Sequence, residues 1–243
     1  MALDVWTFTS PGGREYNEDA LLWEQDGGNA CFVLGDGLGG HAGGQTAAGY
    51  VTAGMLQAWH SQTPPPTDRP AWLAEQARLV NAGLIGRQKI EHNQMKSTLV
   101  CLTMDGASAS WVHAGDSRLY YLHDGALLRL TADHSVTYAK YLSGEITLDG
   151  MNFDEDRSSL LNIMGAAERC RPESGCLEAE VSPGDGFLLC SDGFWEYLYD
   201  TELLVDWLKA ESAKEWGGLL LLRVMERLRP NSDNLTLATV LVE

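Results

Sequence analysis

The chain has 243 residues, 44% of them hydrophobic, enough to bury one large core or two small ones. Its formal net charge is −17, from 17 Lys and Arg against 34 Asp and Glu. That sign excludes nucleic acid and anionic membranes as main partners, while bound cations can still bring a phosphorylated substrate to an acidic surface.

No apolar run approaches a membrane span; Leu219–Leu222 is only four residues. The start, Met1-Ala-Leu-Asp-Val-Trp6, lacks the basic and apolar regions of a signal peptide. Of five cysteines, Cys31, Cys101 and Cys190 sit in apolar runs and read as small buried hydrophobes; nothing demands a disulfide between Cys170 and Cys176. The expectation is a reduced, cytoplasmic protein and a monomer.

Taken in order, residues 4–9 and 20–24 read as strands around a loop, and Cys31–Leu34 as a third strand. Residues 42–60 place Ala47, Tyr50, Val51, Met55 and Ala58 at helical spacing. Pro64-Pro65-Pro66 marks a loop, and a second helix covers 70–91 with Pro70 in its first turn. Strands at 97–104, 108–113, 118–123 and 126–130 are separated by Asp105-Gly106, Gly115-Asp116 and Asp124-Gly125. These dipeptides are hairpin signals and predict an antiparallel meander. A helix over 135–143, a flexible flap at about 144–160, strands at 178–181 and 186–190, helices at 201–210 and 213–227, and a strand at 235–242 complete the chain. The order predicts one domain over 1–243 of the α+β class. Two packed antiparallel β-sheets are flanked by helices on both outer faces, an α-β-β-α sandwich.

The most informative stretch is Cys31-Phe-Val-Leu-Gly-Asp-Gly-Leu-Gly-Gly-His41. A buried strand ends in a sharp glycine turn, so Asp36 projects from the strand end and the Gly37 carbonyl is exposed. The same residues fit a dinucleotide-binding glycine loop, but that loop needs an acid about 20 residues on to hold the ribose. Leu38 to Thr67 contains no Asp or Glu, and Asp36 would repel a pyrophosphate. The stretch therefore reads as an acidic metal-binding loop.

Asp192 ends the strand of Leu188-Leu-Cys-Ser-Asp-Gly193, and Asp233 precedes the last strand. If that strand is antiparallel to the other two, Asp36, Asp192 and Asp233 fall on one sheet edge, and Asp116 joins them from a hairpin turn. An Asp-Gly pair is usually only a turn, so the weight rests on several strand ends agreeing. Clustered carboxylates need cations to stay ionised, and oxygen-only ligands favour Mg²⁺ or Mn²⁺.

These residues resemble the metal-dependent type 2C (PPM) protein serine/threonine phosphatases in their short bacterial form. The resemblance is carried by Arg14-Glu-Tyr-Asn-Glu-Asp19, Asp36-Gly-Leu-Gly-Gly-His41, Gly115-Asp-Ser-Arg118, Asp133-His-Ser135, Ser191-Asp-Gly193 and Asp233-Asn234, in order across nearly the whole chain. It implies that Asp36 bridges two metals, with the Gly37 carbonyl on one of them. Asp192 and Asp233 complete the first metal's ligands, and Glu18 holds the second through water. Asp116 and Asp192 contribute to a third, weaker site. Arg14 forks onto the substrate phosphate and His41 is the general acid for the leaving alkoxide, while Asp19 and Asp133 stand behind the ligands. A metal-activated water attacks phosphorus in line, with no covalent enzyme intermediate. In agreement, no cysteine is followed by Arg six positions on, and no phosphate loop or zinc helix is present.

The chain departs from the family pattern at Pro11-Gly-Gly before Arg14, at Leu160-Leu-Asn-Ile-Met164, which lacks the usual Thr-Arg, and at Met95-Lys-Ser-Thr98. Expected partners are phosphoserine or phosphothreonine proteins, a cognate serine/threonine kinase and, in a bacterial pair controlling a secretion system, a forkhead-associated protein. Two alternatives stand beside this reading: a catalytically silent phosphoprotein-binding relative, and a hydrolase of small phosphate esters.

Overall fold

Apolar residues run unbroken through Ala30–Leu34 because both faces of that strand are covered. The computed structural model describes residues 1–39, 42–62, 66–148, 150–151, 154–168 and 170–243. Its strands are β1 (Leu3–Ser10), β2 (Ala20–Asp26), β3 (Asn29–Gly35), β4 (Gly37–Leu38), β5 (Lys96–Ser97), β6 (Leu99–Asp105), β7 (Ser108–Ala114), β8 (Arg118–His123), β9 (Ala126–Arg129), β10 (Glu173–Cys176), β11 (Gly186–Cys190) and β12 (Leu235–Val242). The helices are α1 (Ala42–His60), α2 (Arg69–Glu91), α3 (Val136–Leu142), α4 (Asp192–Trp195), α5 (Asp200–Lys209) and α6 (Ala213–Arg227).

Two antiparallel five-stranded sheets form, ordered β1-β12-β11-β8-β9 and β10-β7-β6-β3-β2. Period-two alternation sends Ala30, Phe32 and Leu34 of β3 between the sheets, against Leu119, Tyr121, Phe187 and Leu189. Cys31 and Val33 face the other way, onto Val51, Met55, Leu73 and Leu84 of α1 and α2. Leu188, Cys190 and Leu237 pack on Leu203, Trp216 and Leu220 of α5 and α6. This is the expected α-β-β-α sandwich. Full burial of a side chain the size of Phe32 contributes roughly 1.5–3 kcal/mol.

The helices begin where the sequence offers caps. Asp68 accepts the Ala71 N–H at 3.0 Å, and Ser135 accepts the Tyr138 N–H at 3.2 Å. Pro64 and Pro65 of the proline loop lie outside the described residues. The three buried cysteines are as expected, and Cys170 and Cys176 are free.

Three expectations are corrected. The strands from 97 to 130 are not one meander: β6–β7 is a hairpin of one sheet and β8–β9 a hairpin of the other. Gly115-Asp116 therefore lies in a crossover between sheets, because a Gly-Asp pair specifies a turn but not the next strand's partner. The strand expected at 178–181 instead forms earlier, as β10 at 173–176 on the edge beside β7. The polar Glu173-Ser-Gly-Cys176 lacks an apolar pattern, yet Gly175 lets it lie against Trp111, where a Cβ would sit 2.6 Å from the indole. Finally, Asp36 is not on the same sheet as Asp192 and Asp233. β12 is antiparallel to β11, as the shared edge requires, but β3 belongs to the facing sheet.

Candidate metal centre

At one end of the sandwich the edges of both sheets and two crossovers meet. Asp36 follows β3, Asp192 follows β11, Asp233 precedes β12, and Glu18 precedes β2 in the loop that crosses from β1. Asp116 lies in the β7–β8 crossover. All five acids, with Arg14, Gly37, Glu15, Tyr16, Ser158 and Leu160, line a single cleft of about 500 Å³. Every expected site residue within the described part of the chain is thus brought to one place. His41, expected as general acid, lies outside the described residues.

The backbone beneath is fixed by buried hydrogen bonds. Asp36 donates its N–H to Thr98 Oγ1 at 2.9 Å, and its carbonyl accepts the Thr98 N–H at 2.8 Å. Thr98 Oγ1 lies 2.7 Å from Ser117 Oγ, beside Asp116. Asn234 binds the incoming loop three ways: its amide nitrogen donates to the Pro11 and Tyr16 carbonyls at 3.0 and 2.9 Å, and its oxygen accepts the Glu18 N–H at 2.8 Å. Glycine at position 37 is obligatory, since a Cβ there would overlap the Gly44 carbonyl and approach the Glu18 carbonyl to 2.6 Å.

Arg14 Nη2 donates to Asp233 Oδ2 at 2.9 Å, and the rest of its half-exposed guanidinium is open to the cleft. Behind the cleft, Ser191 Oγ donates to Asp19 Oδ2 at 2.9 Å. Arg118 forks onto Asp133 at 2.9 and 2.6 Å and stacks on Trp195 with its Cζ 3.3 Å from the ring centre. Trp195 donates its indole N–H to the Asp116 carbonyl at 2.9 Å. So Asp133 is structural, and Trp195 both packs in the core and holds the Asp116 turn.

The electrostatics call for cations. Burial, then Asp19, Asp192 and Asp116, push the Asp36 carboxyl well above its ordinary range. Burial and Asp192 do the same to Asp116, and burial and Asp233 raise Asp192. Burial also raises Asp19 to about 7. Asp192 Oδ1 is buried with no hydrogen-bond partner. A set of desolvated, mutually repelling carboxylates, with Asp192 Oδ1 open among them, fits hard divalent cations, which take oxygen ligands.

A second cluster does not fit a metal. His113, His134 and Glu173 bring their ligand atoms within 4.8 Å of one another. The two rings stack 4.5 Å apart and within 5° of parallel, so no ion can lie in both ring planes. His134 Nδ1 accepts the Gly115 N–H at 3.2 Å, which leaves the ring proton on Nε2, 3.3 Å from Glu173 Oε1.

Residues 13–214 match the family model described as protein phosphatase 2C. A serine/threonine phosphatase, stp, of Listeria welshimeri is 29% identical over 78% of this chain and 77% of its own length. The crystal structure of the catalytic domain of serine threonine protein phosphatase PstP in complex with 2 manganese ions is 27% identical, with a TM-score of 0.83 over 99% of each chain. PppA of Pseudomonas aeruginosa, described as a key regulatory component of T6SS, is 28% identical, with a TM-score of 0.79 over 100% of this chain and 99% of its own. Among the described residues no helix is long and apolar enough to cross a membrane.

Proposed function

The chain belongs to the protein phosphatase 2C family and is a Mn²⁺- or Mg²⁺-dependent serine/threonine protein phosphatase, and within that activity we propose the roles of its residues. Asp36, the Gly37 carbonyl, Asp192 and Asp233 hold one cation, Asp36 and Glu18 a second, and Asp116 with Asp192 a third, weaker one. The observation that carries this is the convergence of all five acids on one cleft.

Bound there, the cations supply Lewis acidity that activates water and offsets phosphoryl charge. Arg14, tethered by Asp233 at the cleft wall, offers its remaining N–H groups to the phosphate and orients it. Thr98 and Asn234 hold the ligand-bearing backbone so that little reorganisation accompanies reaction. His41 delivers a proton to the departing serine or threonine oxygen. The chain acts as one catalytic domain, with residues 144–160 as a flap whose end, Ser158 and Leu160, lines the cleft.

The substrates are phosphoproteins. A cognate serine/threonine kinase and a forkhead-associated protein are the partners we infer, and the likeness to a regulatory component of T6SS supports a place in the control of a secretion system.

The test is dephosphorylation of a phosphothreonine peptide with Mn²⁺, Mg²⁺ or chelator, beside Asp36→Asn and Asp192→Asn. Activity should require metal and collapse in both variants. A folded wild-type protein that binds Mn²⁺ and leaves every phosphopeptide intact would instead identify a silent phosphoprotein-binding relative.

A further inference from the structure

A second cavity, of about 270 Å³, shares no lining residue with the cleft of the metal centre. Two arginines line it, Arg118 and Arg129, and their situations differ. Arg118 forks onto Asp133 at 2.9 and 2.6 Å and donates to the Tyr120 hydroxyl at 3.1 Å, so its charge is balanced. Arg129 reaches the same carboxylate only at 3.8 Å, beyond hydrogen-bond length. Its Cζ rests 4.8 Å from the centre of the Tyr138 ring, and its side chain is 17% exposed. Among the described residues no acceptor bonds to it. A guanidinium carries five donors, and keeping them mostly buried without acceptors costs free energy that an anionic ligand would return.

The other walls define the rest of a ligand. Leu148, Leu198 and Tyr199 supply an apolar face. Asp200 and Thr201, in the first turn of α5, supply a carboxylate and a hydroxyl. Asp200 repels a bare anion but accepts hydrogen bonds from hydroxyl groups. The volume falls just under the roughly 300–1,000 Å³ of sites for drug-sized molecules, so the ligand is small.

We propose that this cavity binds a small phosphate monoester with a hydroxylated carbon chain. Arg129 forks onto the phosphate, the leucines and Tyr199 enclose carbon, and Asp200 and Thr201 take the hydroxyls. Arg118 occupies Asp133, which leaves Arg129 for the ligand. The site stands apart from the metals and from whichever residues hold them.

The experiment is titration calorimetry on the Mg²⁺-loaded protein. The probe is the phosphonate analogue of glycerol 3-phosphate, which a phosphatase cannot cleave, beside inorganic phosphate and glycerol. Wild type should bind one phosphonate at the metal centre and another in the cavity. Arg14→Gln should weaken the first and keep the second. Arg129→Gln should weaken the second at least about tenfold, keep the first, and leave phosphopeptide turnover unchanged. Arg129→Lys, which keeps the charge without the fork, should fall between wild type and Arg129→Gln. Inorganic phosphate, with no carbon to bury, should bind the cavity about tenfold more weakly than the phosphonate. Should Arg129→Gln fail to fold, Arg129→Lys and Thr201→Val carry the test, each weakening the second binding event alone. Binding by folded Arg129→Gln that matches wild type would overturn the site. So would a wild type that binds only the phosphonate lost in Arg14→Gln. Inorganic phosphate binding as tightly as the phosphonate would overturn the assignment of a carbon-bearing ligand.

Discussion

Asp19 should make the metal-free protein less stable at neutral pH than a variant lacking its charge. Burial, reinforced by Asp192 and Asp233, raises its carboxyl from 3.8 to about 7. A carboxyl raised in the folded state contributes stability that is complete below the unfolded value and is lost as pH rises through the folded one. At about 1.4 kcal/mol per pH unit, ionised Asp19 opposes folding by roughly 4 kcal/mol at pH 8. At pH 5 the opposition falls to about 2 kcal/mol, because the folded state holds the proton. Asp19→Asn keeps an oxygen to accept the Ser191 hydroxyl. In chelator, urea unfolding should therefore show the variant more stable at pH 8, with an advantage that shrinks as the pH falls to 5. A variant no more stable than wild type at pH 8, or an advantage that grows toward acid, would refute the argument.

His113 should dominate the opposite limb. Burial, then the His134 ring, lowers it to about 4, so its stability contribution is present above 6.5 and lost as pH falls toward 4. His113→Gln, which keeps a donor for the Ala132 carbonyl, should flatten unfolding curves over that window by about 3 kcal/mol. Gly37→Ala should cost about 3 kcal/mol through overlap with the Gly44 carbonyl and lower the calorimetric affinity for Mn²⁺. Arg118→Lys loses the fork onto Asp133 and the stack on Trp195, and should lower stability by about 3 kcal/mol in denaturant titrations.

Much of this was legible because apolar runs stop abruptly at acids. Cys31–Leu34 before Asp36 and Leu188–Cys190 before Asp192 each announce a buried strand and the side chain it presents. The start of α2 followed from Pro70 in its first turn. The sheet to which a strand belongs was not legible. Nothing in Ala114-Gly-Asp-Ser117 distinguishes a hairpin from a crossover, because the turn chemistry is the same and only the partner strand differs. Edge strand β10 is not legible because a strand with one partner and mostly exposed side chains demands little apolar pattern. Thr98, Asn234 and Trp195 support the site through backbone groups far away in sequence, and such contacts leave no local periodicity.

The crossovers explain why the site can exist. Neighbouring strands stand about 4.8 Å apart, so carboxylates from one sheet edge would spread along a line rather than surround an ion. Two facing sheets, about 10 Å apart, can instead aim acids at each other across their shared end. Asp36 and Glu18 arrive from one sheet, Asp192 and Asp233 from the other, and Asp116 from the chain passing between them. That geometry also concentrates like charge where water is scarce, which is what raises Asp19, Asp36, Asp116 and Asp192 together. The instability of the metal-free centre and its affinity for divalent cations are therefore one property of the same crossing, and a substitution that relieves the first should weaken the second.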